Sequence, residues 1–253
     1  YGYKEVWAEV KDDIGQTSKR SANILAVLPL PKWKPLEDWS FVIITDLHIG
    51  YCHTDYGTSG WDDSGGQDYW LTNRLSHPDD DKHGIIEWIN EHVEVHNIRF
   101  VVVLGDISDS AEKSEFLKAR DLLNKLKVPY IPIIGNHDIW PYTQKATIPC
   151  WRDVRESFTI EDYSKPDAVG DKFFNEVFWG EGNKENVDKI EALFGDSWKR
   201  QVKQDGYTGR PYMQNYAFTY MGIRFIALDF VDRNPVNPPE SGGAKLHDET
   251  ADW

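Results

Sequence analysis

Three short stretches set ligand-type side chains directly after apolar runs: "TDLHIG" at 45–50, "LGDISDS" at 104–110 and "IIGNHDIW" at 133–140. The first offers Asp46 and His48, the second Asp106, and the third Asn136, His137 and Asp138. If the chain stays extended past residue 45, the period of two along a strand puts Asp46 and His48 on one side, where both reach one metal ion. Imidazole favours transition metals, while carboxylate and amide oxygens favour harder ions. A nitrogen-and-oxygen cluster with no need of a thiolate therefore suits Mn, Fe, Zn or Co.

The elements that must carry these groups are legible around them. "FVIIT" at 41–45, "FVVVL" at 100–104 and "YIPII" at 130–134 are continuous apolar runs, the pattern of strands buried on both faces. Between them, Ile85, Ile89 and Val93 recur at helical spacing, as do Phe116, Ala119, Leu123 and Leu126. The order strand, helix, strand, helix, strand predicts parallel strands joined by right-handed crossovers. Ligands of such sheets sit beyond the carboxyl ends of the strands, where the three polar stretches lie. Past residue 140 comes mixed, aromatic-rich sequence with one predicted helix at 185–194, closed by Gly195. "NYAFTYM" and "IRFIALD" then flank Gly222 and read as an antiparallel hairpin.

DxH, GDxxD and GNHD, in that order and each after an apolar strand, resemble the first three motifs of the calcineurin-like metallophosphoesterase superfamily. The resemblance runs from about residue 40 to Asp229, with "IRFIALD" matching the family's later strand that ends in aspartate. It implies an α/β fold in which a two-sheet β-sandwich is flanked by helices (α/β/β/α). It also implies a phosphoester hydrolase with two divalent or trivalent transition metal ions. Carried onto this sequence, Asp46 and His48 would bind the first ion, Asp106 would bridge both, and Asn136 would bind the second. His137 would be the general acid or transition-state hydrogen-bond donor, with Asp138 placed to orient its imidazole. Paired cations lower the pKa of a shared water and polarise the phosphoryl group, which agrees with those roles. The family adds a histidine on a later strand end and a GHxH motif. Neither follows Asp138, since the only later histidine is His247, in "KLHDETADW". The expectation is that the natural product extends past Trp253, and that the 253-residue chain binds at most one metal weakly and has impaired activity. Asp109 stands where the purple acid phosphatase branch has tyrosine, which argues against that branch.

Other residues have simpler readings. Asp109 with Glu112 three positions on reads as a helix N-cap and capping box, and Gly105 and Gly135 read as tight-turn residues. His53 and His77 sit in an acidic, glycine-rich loop at 50–82 that would overhang the site, with His83 directly after it, and all three read as solvated surface. His92 and His96 read as solvent-facing on the first helix, and His247 as loop. Cys52 and Cys150 follow the first and third motifs. A disulfide between them is an expectation for an exported protein, with two free thiols as the alternative.

Composition sets the remaining bounds. The 253 residues carry 42 acidic and 28 basic side chains, a formal charge of -14 that repels nucleic acid phosphates and anionic lipid. No apolar run approaches the roughly 18 residues of a membrane span. Eleven tryptophans, 12 tyrosines and 11 phenylalanines suit a secreted protein handling carbohydrate or phosphoesters, and equally an ordinary thick core. Residues 1–30 alternate, turn at "DDIG" and alternate again. They read as a β-hairpin, either the tail of an Ig-like module or an edge hairpin of the main domain, followed by a linker at 31–39 and the metallophosphoesterase domain at 40–253. An extracellular or periplasmic location is expected, with a small-molecule phosphomonoester or phosphodiester as substrate. The competing functions are a nuclease of the same superfamily and a non-catalytic metal-binding or adhesion module.

Overall fold

The computed structural model describes residues 10–11, 17–18, 38–50, 72–79, 82–109, 111, 113–139, 170–201, 214–231 and 253. Strands β1 (Val10–Lys11) and β2 (Thr17–Ser18) pair antiparallel, Val10 opposite Ser18. Strands β3 (Ser40–Thr45), β4 (Ile98–Leu104) and β5 (Tyr130–Ile133) form a parallel sheet in that order. Helix α1 (Ile85–His92) connects the first pair and α2 (Lys113–Leu123) the second, which is the predicted βαβαβ arrangement. Helices α3 (Gly170–Trp179) and α4 (Lys184–Phe194) follow, then an antiparallel sheet of β6 (Lys199–Gln201), β7 (Asn215–Tyr220) and β8 (Ile223–Ala227).

β4 shows why the layers form. Its alternate residues point to opposite faces, so Val101 and Val103 enter one apolar cluster while Phe100 and Val102 enter another. The first cluster is covered by helices: Ile86 and Ile89 from α1, Phe116, Ala119 and Leu123 from α2, and Phe174, Val177 and Phe178 from α3. The second is a sheet-on-sheet interface, closed by Tyr216, Phe218, Tyr220 and Phe225 of the antiparallel sheet and by Ile190 and Phe194 of α4. The result is the expected α/β sandwich of a parallel and an antiparallel sheet with helices against it. Phe100 is fully buried at the centre, with ring contacts to Phe41, Phe194, Phe218 and Phe225 at centroid distances of 5.1–5.7 Å. Burial of one such side chain contributes about 1.5–3 kcal/mol. The exposed Lys113–Glu176 pair that also ties α2 to α3 contributes at most about 1 kcal/mol, so apolar packing decides the docking.

Several expectations need correction here. β3 is not buried on both faces: it flanks the sheet with β4 as its neighbour, and Ile43 is 51% exposed. The inward stripe of α1 is Ile86 and Ile89, whereas Ile85 faces outward at 40% exposure. His92 is the last residue of α1, but His96 lies in the turn beyond the helix, and both rings stack with Trp88 rather than standing separately in solvent. α3 and β6 were not foreseen.

The chain closes the far side of β5 with a side chain. Asn186 of α4 accepts from the Tyr130 N–H at 3.0 Å and donates to the Tyr130 carbonyl at 2.9 Å, as a neighbouring strand would. Among the described residues, no helix is long and apolar enough to cross a membrane.

Candidate metal centre

Beyond β3 the backbone leaves the extended conformation. Asp46 and His48 both have positive φ (55° and 44°), and so does Asp106 after β4 (48°). The premise that strand alternation aligns Asp46 with His48 therefore fails, yet the two still meet: His48 Nε2 lies 3.9 Å from Asp46 Oδ1. The left-handed residues fold each strand end over while the two segments remain laced together. Asp46 N–H donates to the Gly105 carbonyl at 3.3 Å, His48 N–H to that of Asp106 at 2.9 Å, and Ile49 N–H to that of Ile107 at 3.0 Å. Three non-glycine residues held at positive φ cost about 1–2 kcal/mol each, and such strain persists only where surrounding bonds over-determine it.

The third motif docks on the second through glycine. A Cβ on Gly135 would fall 2.3 Å from both the N and Oδ1 of Asp106, so only a bare backbone lets the loops approach this closely. His137 N–H then donates to Asp106 Oδ1 at 3.0 Å. α3 starts against the same loop, with Gly170 N–H on the Ile139 carbonyl at 2.9 Å. Its sequence gives a usable signal that the aromatic-rich surroundings masked: Phe173, Phe174, Val177 and Phe178 recur at helical spacing.

Asp46, His48 and Asp106 each offer a ligand atom within 4.8 Å of the others, and so do His48, Asp109 and His137. Asp46 is about half exposed and Asp106 is 9% exposed. Thr45 Oγ1 lies 2.6 Å from Asp46 Oδ2. Asn136 stands in the same loop, one residue before His137, and is partly exposed. The structure thus gathers all six sequence-predicted positions at neighbouring strand ends, although they come from three separate segments.

Asp109 is the residue the sequence reading misassigned. α2 begins only at Lys113, and the Asp109 carboxylate is fully buried against His48, with Oδ1 2.9 Å from Nδ1. Burial pulls the His48 pKa down, but the Asp109 bond and the charges of Asp109, Asp106 and Asp46 outweigh it and leave the imidazole above its ordinary value.

Asp138 also differs from expectation. Its carboxylate bonds Ser108 and Gly135 rather than the His137 ring. Oδ1 accepts from Ser108 N at 2.8 Å and lies 3.0 Å from Ser108 Oγ, while Oδ2 accepts from Gly135 N at 2.8 Å. The contact on the His137 ring comes instead from Asp109, whose carbonyl accepts from Nδ1 at 2.6 Å. Full burial, reinforced by the Asp106 charge, pushes Asp138 up to about 7 against the pull of its three hydrogen bonds. It acts as a clasp between the second and third motif loops. Cys52, Cys150, His53 and His247 lie outside the described residues.

No curated protein and no solved structure matches the chain. The profile of the calcineurin-like phosphoesterase family matches residues 40–233, which takes in all three motif loops and both sheets of the sandwich. With the match spanning well over half of the chain, this protein belongs to the calcineurin-like phosphoesterases.

Proposed function

We propose that the chain hydrolyses a small-molecule phosphomonoester or phosphodiester with a dinuclear metal centre. The carrying observation is the division of the His48 ring between two carboxylates, Nδ1 toward Asp109 and Nε2 toward Asp46. One imidazole cannot present the same nitrogen to both. A ligating histidine commonly donates its other N–H to a carboxylate, which fixes tautomer and ring orientation. On that logic Asp109 orients the ring, and the ion falls to Asp46, His48 Nε2 and Asp106. This mixed oxygen and nitrogen donor set fits Mn, Fe, Zn or Co. Asp106 and Asn136 would hold the second ion.

Two such ions, when bound, supply a water of lowered pKa and positive charge beside the phosphoryl group. The chain's own residues supply the rest. His137 Nδ1 is tied to the Asp109 carbonyl, so Nε2 is the nitrogen that can give a proton to the leaving-group oxygen. Asp138 holds the loop that carries it. The test is metal content by elemental analysis followed by a panel of chromogenic phosphomonoesters and diesters. Uptake of transition metal with hydrolysis that chelation abolishes is the expected result. No ion above background and no hydrolysis with any of the four metals would sink the reading.

A further inference from the structure

Ser108 carries no proposed ligand or proton, yet it touches all three motif loops. Its backbone pairs with Ile49 of the first as an isolated parallel bridge. Its N–H donates to Asp138 of the third. Its hydroxyl accepts from Ala111 N at 3.2 Å and places one proton between two acceptors of the third loop, Asp138 Oδ1 at 3.0 Å and the His137 carbonyl at 3.2 Å. The side chain is fully buried, so water does not replace these bonds.

The His137 peptide is thereby held on both sides, its N–H on Asp106 Oδ1 and its carbonyl against the Ser108 hydroxyl. Its ring is held by the Asp109 carbonyl at 2.6 Å. All three anchors come from residues 106–109, and none uses the ring's Nε2. A pivot of the backbone bearing the ring would strain or lengthen that bond.

We propose that the Ser108 hydroxyl is a positioning group for His137: through the His137 carbonyl and the Asp138 carboxylate it fixes the imidazole against Asp109 and sets where Nε2 is presented. The catalytic consequence rests on the phosphohydrolase reading above, whereas the ring geometry does not. Ser108→Ala isolates the hydroxyl, because the backbone bond from Ser108 N to Asp138 remains while the Ala111 N–H, the His137 carbonyl and Asp138 Oδ1 each lose a partner.

Two readouts on the full 253-residue chain separate the possibilities. In histidine-labelled protein, with and without Zn²⁺, the His137 Nδ1–H proton is identified by its loss in His137→Asn, and its exchange with water is followed by NMR. Exchange in Ser108→Ala is expected at least about tenfold faster than in wild type, with Ser108→Thr restoring protection. On esters with alkyl leaving groups, kcat of Ser108→Ala is expected to fall about tenfold with KM little changed, and by much less on nitrophenyl esters. A folded Ser108→Ala that keeps wild-type protection of the ring proton overturns the proposal, as does an equal kcat loss on both ester classes. Should Ser108→Ala not fold, Ser108→Cys, a weak donor of similar volume, is judged by the same two criteria. A wild-type chain that hydrolyses no ester while its ring proton responds to Ser108→Ala as expected would defeat the phosphohydrolase reading and leave the positioning role standing.

Discussion

The two ends of β4 obey different rules. Toward the sandwich, Phe100 and Val102 pack into an aromatic-rich interface, where Phe218 and Phe225 stack directly across the β7–β8 ladder at 4.8 Å. At its carboxyl end, within two residues of Leu104, the chain turns left-handed at Asp106 and buries carboxylates at Asp106, Asp109 and Asp138. The first region gains stability from burial. The second accepts strain and desolvated charge, and its hydrogen bonds to backbone N–H groups keep that arrangement from collapsing. Stability and site geometry should therefore respond to different substitutions.

The largest expected effect lies at the site. His137→Asn should leave metal content and unfolding midpoint nearly unchanged while lowering kcat on alkyl-leaving-group esters by about 100- to 10,000-fold, the usual loss for a positioned acid. Steady-state rates on esters of graded leaving-group pKa check this. A loss as large on nitrophenyl esters would remove the general-acid role.

The counterpart in the sandwich is Phe100→Ala. It should destabilise the chain by about 3–5 kcal/mol, the range for emptying a fully buried phenylalanine site. Metal affinity measured well below the unfolding midpoint should stay within about twofold, because the site's backbone lacing does not pass through that ring. Denaturant unfolding and metal titration of one preparation give both numbers. A parallel loss of affinity would show that the two regions are not separable.

How far each region could be read in the sequence follows the same division. β3, β4 and β5 are legible as continuous apolar runs, and α1, α2, α4 and the β7–β8 hairpin as apolar periods, because burial leaves one pattern or the other. β6, "KRQ", carries no such imprint and was silent. At the site, residue types and order identified the motif loops, but not the conformation that joins them. Asp46 and His48 meet through two left-handed residues, which no alternation rule encodes. Asp109 illustrates the limit best. An acidic pair three residues apart ahead of a helical pattern is the same string whether the aspartate caps the helix or runs beneath a histidine. Only tertiary contact, the 2.9 Å bond to His48, distinguishes them.

That bond gives a smaller prediction. Asp109→Asn keeps the shape but removes the charge that orients and raises His48. Affinity for the first ion should fall about 10- to 100-fold, as for loss of a carboxylate behind a ligating histidine. The pH dependence should move as well. The metal competes with a proton for His48 Nε2, and the raised pKa makes wild-type uptake weaken as pH falls from above the ordinary histidine range. Removing the Asp109 charge lowers that pKa, so the weakening should begin at lower pH in the variant. Metal titrations across pH 5–8 read both effects. Unchanged affinity would return Asp109 to a purely structural role.

The smallest effect comes from a left-handed residue in the packing region. Met221 and Gly222 form the two-residue loop between Tyr220 and Ile223, and both have positive φ, at 46° and 82°. That is the backbone of a type I′ hairpin turn, whose first position favours asparagine over methionine, because a short polar side chain tolerates the left-handed region. Met221 is 40% exposed, so little burial is lost on replacing it. Met221→Asn should therefore stabilise the chain by about 0.5–1 kcal/mol, or roughly 1–4 °C in Tm for a chain of this size, with metal affinity and turnover unaltered. The same relief applied at Asp106, as Asp106→Gly, removes comparable backbone strain and should abolish metal binding. If Met221→Asn lowers turnover, strain at the hairpin tip serves the site after all. If it lowers Tm, the turn is not limited by its left-handed methionine.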